Sequence, residues 1–475
     1  MAKVMDANLA ATGAGAPGVL REAPEVSLPP LVQTLWWGLD PRGFYRHCRA
    51  RHGPFYVMRP VPFGAMHVTD DPEVVRAVLA ADADTLRAGE ANALGDALPP
   101  LLGRSSVLLL DGDEHLRQRK LMLPAFHGER MRAYDATIAD ATVRSLAGWP
   151  VGEPFALRPR MQDITLDIIL RAVFGIRGEA RLARFAAAIS EAVDAGAASL
   201  LLTPPFRRLP GGFWPWPRFL RRRARLDALV FEEIAARRAA ADAGDRDDVL
   251  SLLLGARFED GDGLSDRELR DELVTLLVAG HETTATALAW TFELLFRAPA
   301  ARARLETELR SGGGPYLQAV VDESLRVRPV VIDFGRTASR DVDLAGWRLP
   351  KGGIVTPSSY LVNTNPAVYD DPEAFRPERF LDARPAASSF ATFGGGIRRC
   401  LGAAFAQSEM RIVLREVLRR APSLRPASHR PERAVLRHIT MAPARGVRAV
   451  LDAPPDLAPA PGATAPPGEA PGGEA

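Results

Sequence analysis

Apolar residues that recur every three or four positions dominate the chain and predict helices over 162–175, 181–196, 219–240, 247–254, 265–297, 315–327 and 402–420. Short apolar runs bounded by Gly and Pro are few: 54–59, 65–69, 353–357 and a terminal pair around 434–451. The pattern therefore predicts a mainly α fold with a small β-rich region. The longest helix, 265–297, opens on Ser265 with Glu268 three residues later, the spacing of a capping box, and stops before Pro299. Its middle, 273–280, is apolar on every side. His281 and Glu282 interrupt that run before the roughly 18 residues a membrane span needs, so it reads as a core helix crossing the protein.

No repeat of fixed period and no low-complexity linker divides residues 29–451, which read as one body. Residues 1–28 read as a flexible arm. Residues 452–475, of which 18 of 24 are Pro, Gly or Ala, read as a disordered tail, because that composition buries too little apolar surface to order itself. The 475 residues are 47% hydrophobic and 25% charged, which supplies a large core and excludes a disordered or fibrous protein. Lys+Arg 60 against Asp+Glu 58 gives a net charge of +2, too balanced to make nucleic acid or an acidic membrane surface the main partner. All the basic residues except Lys3, Lys120 and Lys351 are arginine, which favours forked contacts to carboxylates. Two cysteines, Cys48 and Cys400, exclude a disulfide framework and a four-thiolate zinc site and fit a reducing compartment. With no signal-peptide core at the amino terminus, no spanning run and no heptad pattern, the expectation is a cytoplasmic monomer without a membrane anchor.

Cys400 ends a glycine-rich turn, Phe393-Gly394-Gly395-Gly396-Ile397-Arg398-Arg399-Cys400, and precedes an amphipathic helix. Backbone N–H groups and the positive helix end favour a thiolate there, and glycines let a flat ligand approach the main chain. Such a thiolate is a metal ligand or a nucleophile. The residues Phe393, Gly396, Arg398, Cys400 and Gly402 match the Phe-x-x-Gly-x-Arg-x-Cys-x-Gly signature, and the chain here resembles the cytochrome P-450 superfamily of haem-thiolate enzymes.

Four further matches follow the family order. Ala279-Gly280-His281-Glu282-Thr283-Thr284 on the long helix is similar to the oxygen-activating stretch; Ala279 and Thr283 share a face, Gly280 removes a side chain, and Glu282 is placed to pass protons inward through water. His281 falls at the variable position and takes no ligand role. Glu323 and Arg326, joined by Arg379 of Pro377-Glu378-Arg379-Phe380, resemble the family's buried charge network and receive a structural role. His115 and Arg119, one helical turn apart, resemble the pair that reaches a haem propionate, and Arg336 and Arg398 fill the other propionate positions. Many soluble bacterial relatives have His where this chain has Arg398, a departure that bears on the branch and not on the haem.

The resemblance implies the triangular, mainly helical cytochrome P-450 fold enclosing haem b, with Cys400 as axial ligand of the iron, Thr283 and Glu282 as catalytic residues, and His115, Arg119, Ala279, Gly280, Arg336, Phe393, Gly394, Arg398 and Gly402 around the cofactor. Thiolate donation to haem iron favours O–O cleavage, so the expected activity is monooxygenation of a hydrophobic small molecule such as a fatty acid, terpenoid or steroid-like compound. Variable loops at 86–107, 197–217 and 437–442, together with Val330 to Phe334, should shape access; 200–219 is rich in Pro and aromatics, as an apolar lid would be. No residues remain for a fused reductase, so electrons from NAD(P)H should arrive through a ferredoxin or flavodoxin with its reductase, docking on His115, Arg117, Arg119, Lys120 and Arg399. A haem-thiolate peroxygenase or isomerase, and a non-catalytic haem sensor, are the alternatives; intact Glu282 and Thr283 count against the first two.

Overall fold

The computed structural model describes residues 20–458, apart from 95–97, 129, 197–214, 241–245, 383 and 438. The chain forms α1 (Pro30–Leu39) and α2 (Pro41–His52), a hairpin of β1 (Phe55–Met58) and β2 (Met66–Thr69), then α3 (Pro72–Ala80), β3 (Leu86–Arg87) and α4 (Ala88–Asn92). A helical body follows, with α5 (Gly112–Met122), α6 (Arg130–Leu146), α7 (Leu157–Ala172), α8 (Glu179–Gly196), α9 (Pro215–Ala239), α10 (Val249–Gly255), α11 (Asp266–Arg297), α12 (Pro299–Arg310) and α13 (Pro315–Val327). Strands β4 (Arg336–Ala338) and β5 (Ile354–Pro357) return to the first hairpin, α14 (Ala403–Arg420) re-enters the body, and β6 (Ala434–Arg437) pairs with β7 (Thr440–Pro443). Proline stands at the first position of α1, α2, α3, α12 and α13, where its missing N–H has no intrahelical partner to lose and its fixed φ suits the helix.

The long helix α11 keeps its predicted cap: Ser265 Oγ accepts from the Glu268 N–H at 3.3 Å, and Glu268 Oε2 accepts from the Ser265 N–H at 2.8 Å. It crosses the main apolar core, flanked by α7, α9, α13 and α14. The five-stranded sheet runs β1-β2-β5-β4-β3, with β2 and β5 parallel and the other neighbours antiparallel. It carries β4, and with it Arg336, to the edge of the helical body.

Three expectations change. The arm ends earlier than residue 28: the Arg21 N–H donates to Gly346 O at 2.9 Å, the Val26 N–H donates to Val57 O at 2.9 Å, and Val26 is buried. The terminal strand pair is a β6–β7 hairpin, and Arg448–Leu451 pairs instead with Phe155–Ala156 and Leu424–Pro426. Helix α7 starts five residues before the predicted 162, because Pro159 sits in its first turn, where proline is tolerated. The predicted lid lies, over 197–214, outside the described residues.

Candidate active site

The cysteine loop is shaped by what its glycines touch. Gly394 and Gly396 both hold φ of +61°, a region that side chains enter only at a cost. A Cβ on Gly396 would meet Leu79 O, on α3, at 2.0 Å, and one on Gly395 would meet Leu79 Cδ1 at 2.9 Å. Gly395 and Gly396 therefore serve to dock the loop on the end of α3 rather than to admit a flat ligand. Gly402 is the opposite case, with nothing within 4 Å of its Cβ position. The turn closes when the Cys400 N–H donates to Phe393 O at 2.9 Å.

Cys400 is exposed, yet enough protein surrounds it for desolvation to push its thiol up; the Gly402 N–H and the charges of Arg119 and Arg399 act the other way and favour the thiolate.

Four cationic or donor groups lie close together beside Cys400: the charges of Arg398, Arg119 and Arg336 act on His115, and that of Arg119 acts on Cys400 as well. His115 on α5 is buried, its Nδ1 has no partner, and its pKa falls to about 3 through burial and the positive charges of Arg398, Arg119 and Arg336. Arg336 on β4 is buried, donates among the described residues to its neighbour's carbonyl at 2.8 Å, and is lowered to about 10 by burial and by Arg398. Arg119 and Arg398 are also lowered, first by burial. The structure thus brings together the four residues expected at propionate positions, with Asp111 the carboxylate that offsets them. This excess of buried positive charge, with an unpartnered His115 nitrogen, fits a dianionic group such as the two propionates of haem, and the Cys400 sulfur is the soft donor that haem iron takes.

Asp111 was not read from the sequence. At the start of α5 it accepts from the Gly89 and Glu90 N–H groups, both at 2.8 Å, and pairs with Arg398, which also donates to Leu110 O at 2.5 Å and Val107 O at 3.2 Å. Arg398 is therefore tied to the segment before α5 as well as facing the cluster. The available signal was an Asp just ahead of a helix bearing His115 and Arg119.

On α11 the exposure pattern marks one face. Leu276, Val278, Gly280 and Thr283 are half-buried and Ala279 is exposed, on a helix otherwise buried through this stretch. Leu276, Ala279 and Thr283 recur at helical spacing and line one stripe, and Thr283 Oγ1 donates to Ala279 O at 2.5 Å. Two roles differ from expectation. A Cβ on Gly280 would meet Ile169 Cδ1 at 2.6 Å, so this glycine lets α11 approach α7 and does not by itself open a groove. Glu282 pairs with Arg158 and accepts from Gln162 Nε2 at 2.7 Å, both on α7, so its carboxylate is turned to α7 and engaged there. His281, expected to ligate nothing, sets Nε2 3.1 Å from Gln162 O. The sequence reading also missed Glu409 on α14, buried next to Thr284, its carboxyl pushed well above the usual range by desolvation, which the Thr284 hydroxyl partly offsets.

Glu323 and Arg326 form the expected buried pair, at 2.6 and 2.7 Å, both side chains fully buried. Arg379 Nε lies 3.4 Å from Glu323 without hydrogen-bond alignment, and its Nη2 donates to Asp371 O at 2.9 Å. Arg326 also donates to the carbonyls of Asn363, Pro372 and Ala374. Asn363 in turn accepts from the Ala391 N–H at 2.8 Å and donates to Thr392 at 2.9 Å, which carries the network to the residues leading into the cysteine loop. Of the expected docking cations, Arg117 and Lys120 are engaged with Asp260 and Glu259, at 2.5 Å each, and His115 is buried; Arg399 is exposed. Among the described residues no helix is long and apolar enough to cross a membrane.

The cytochrome P450 family profile matches residues 23–433. Cytochrome P450 135B1 of Mycobacterium tuberculosis is 42% identical over 432 residues, covering 89% of each chain, and cytochrome P450 138 of the same organism is 36% identical over 441 residues, covering 93% of this chain and 98% of the relative. Among solved structures, retinoic acid-bound cyanobacterial CYP120A1 superposes with a TM-score of 0.77 at 26% identity, covering 91% of this chain and 99% of that one. The haem domain of cytochrome P450DA, at 23% identity and a TM-score of 0.78, covers 91% and 97% and shares the fold. With this match over most of its length, and with a cysteine, a cluster of cations and a threonine-bearing helix of the expected kinds, the chain belongs to the cytochrome P450 family of haem-thiolate monooxygenases.

Proposed function

We propose that this enzyme oxygenates an apolar small molecule of the fatty acid, terpenoid or steroid-like class, with electrons delivered from NAD(P)H by a separate acidic ferredoxin or flavodoxin. The single observation that carries the reading is the convergence of His115, Arg119, Arg336 and Arg398 beside Cys400. Haem, when bound, supplies the activation of O2 and the insertion of one oxygen atom into a C–H bond or alkene.

The residues of this chain divide the remaining work. Cys400 Sγ is the iron ligand, kept toward the thiolate by the Gly402 N–H and by Arg119 and Arg399. His115, Arg119 and Arg336 take the propionates, and Arg398 does so while braced by Asp111. Leu276 and Ala279 offer the substrate an apolar wall. Thr283 Oγ1 holds a proton at the rim of that wall, and Glu282 accepts or gives protons there once its side chain leaves Arg158 and Gln162. Segment 330–334, joined to the β6–β7 hairpin where the Met441 N–H donates to Val330 O at 2.7 Å, closes another side. One solved relative is described as holding retinoic acid, an apolar chain of the proposed kind. Outward from the site, exposed Arg399, without an ion pair among the described residues, offers a cation to an acidic donor protein; Arg117 and Lys120 join it by exchanging Asp260 and Glu259 for the donor's carboxylates, since exposed pairs are worth little.

The test is the carbon monoxide adduct of the reduced, haem-loaded protein. It should absorb at the red-shifted position of thiolate-ligated haem, and Cys400→His should move it to the globin-like position. A globin-like adduct in the unaltered protein would overturn the assignment of Cys400. Product that forms with peroxide but not with O2 and an electron donor would overturn the reaction class.

A further inference from the structure

Helix α1 is inverted. A water-facing helix turns its polar side chains out and its apolar ones in, whereas α1 carries no charged residue and its two polar side chains are engaged with the protein. Gln33 is buried and donates to Leu28 O at 2.7 Å; Thr34 Oγ1 donates to Pro30 O and accepts from the Val61 N–H, both at 2.8 Å. The aliphatic side chains point outward: Leu31 is 66% exposed, Leu35 64% and Leu39 61%, with Val32 also exposed. Leu31, Leu35 and Leu39 are four apart and share one face. The turn between β1 and β2 extends this surface through exposed Val61, and its Phe63 ring meets Trp37 edge-on at 6.1 Å.

The border is basic. Helix α2 contains no acidic residue. The His47 ring lies 4.9 Å from that of Trp36, tilted by 41°, so the α2 face bearing residue 47 and, one turn on, exposed Arg51 adjoins α1. On another side Leu436 of β6 packs in the same cluster as Trp36 and Trp37, followed by exposed Arg437 and exposed Ile439. Neither Arg51 nor Arg437 has an ion pair among the described residues, while the nearby acids are engaged: Asp40 accepts from the Gly43 N–H and Glu25 pairs with Arg59. An overall charge near zero conceals this local asymmetry.

From the outward leucines and their cationic border we infer that α1 and its surroundings form a peripheral docking surface for an anionic lipid bilayer, with α1 lying in the interface plane. Leucines enter the acyl boundary, half-buried Trp36 and Trp37 sit at headgroup level, and Arg51 and Arg437 meet lipid phosphates. Charge selects this occupant over a second copy of the chain, because a two-fold contact through the patch would bring the arginine borders of both copies together. Lying on a membrane needs no spanning helix, so the inference is compatible with the absence of one among the described residues.

The test is co-sedimentation of the full-length, haem-loaded protein with phosphatidylcholine vesicles and with vesicles that also contain phosphatidylglycerol. Binding is expected to the anionic vesicles and to weaken in high salt. Leu31→Glu/Leu35→Glu should reduce it about tenfold or more, and Arg51→Gln/Arg437→Gln should reduce it about fivefold per arginine on anionic vesicles. All four positions are exposed, so an unchanged visible spectrum and circular dichroism will show that the variants fold. Failure to bind anionic vesicles, binding that survives Leu31→Glu/Leu35→Glu, or a concentration-dependent dimer abolished by that variant would each overturn the lipid assignment.

Discussion

Replacing Glu323 by Gln removes one negative charge and no volume, and the surroundings set the size of the effect. Both Glu323 and Arg326 are fully buried, and Arg326 donates two bonds to Glu323 and three to backbone carbonyls. In Glu323→Gln the carbonyls remain, but the guanidinium keeps its charge with no carboxylate against it, and the new amide N–H2 must face donors. Arg379, 3.4 Å from the same carboxylate, loses its counter-charge as well. Breaking one side of a buried pair costs about 3–5 kcal/mol, a factor of roughly 150 to 5000 in the folding equilibrium. Asp260→Asn is the control. It breaks the Arg117 pair, in which both side chains are about half exposed (49% and 50%), and should cost less than about 1 kcal/mol. The assay is urea unfolding of the haem-loaded proteins, followed in parallel by circular dichroism and by haem absorbance. Because Arg326 and Asn363 tie down the residues before the cysteine loop, haem release in Glu323→Gln should precede loss of helix. A loss below about 1 kcal/mol, or one equal to that of Asp260→Asn, would refute the reasoning, since it would mean that water reaches the pair.

Three further outcomes can be checked. Gly396→Ala places a methyl 2.0 Å from Leu79 O at a φ of +61°, so it should undock the loop and lower haem retention, measured by transfer to an excess of apomyoglobin; retention equal to that of the wild type would refute this. Glu272 is buried and its carboxyl is raised to about 8 by desolvation, against about 4.3 when unfolded. Its folded pKa is the higher one, so the folded state keeps a proton that the unfolded chain gives up, and stability falls as pH rises from about 4.3 toward about 8. Glu272→Gln keeps an acceptor for the Val107 N–H and Gln118; it should match the wild type near the low end and exceed it increasingly toward the high end, and a difference independent of pH in urea titrations would refute this. Thr283→Ala removes the hydroxyl from the α11 stripe and should cut product formed per electron pair severalfold while oxygen consumption continues; unchanged coupling would exclude Thr283 from proton delivery.

What was legible in the sequence follows from the range of the forces involved. Helix α11, its cap and its end were readable because the capping box acts over three residues and the apolar period over a few turns. Helices α1, α2, α3 and α12 were missed for an equally local reason: proline was taken as punctuation, and α2 has too much arginine and histidine to show a stripe. At the site, the resemblance singled out Cys400, His115, Arg119, Arg336 and Arg398 from short motifs, and these are residues whose charges act on one another in the structure.

Direction was not legible. A helix turns about 100° per residue, so neighbours such as Glu282 and Thr283 face different ways, and only the position of α7, set by long-range packing, decides that Glu282 meets Arg158 while Thr283 lies on the half-buried stripe. The same applies to the glycines. Sequence says that a side chain is missing at 280, 395 and 396, but not that Ile169 and Leu79 fill those places. One consequence bears on the chemistry: Glu282, on α11 itself, is turned to α7 and paired there, while Glu409 of α14, its carboxyl pushed well above the usual range by desolvation, lies beside Thr284. A proton path through this site must therefore either break the Arg158 pair or pass through α14, and Arg158→Met, which frees Glu282 without touching Glu409, separates the two routes by the coupling of electrons to product.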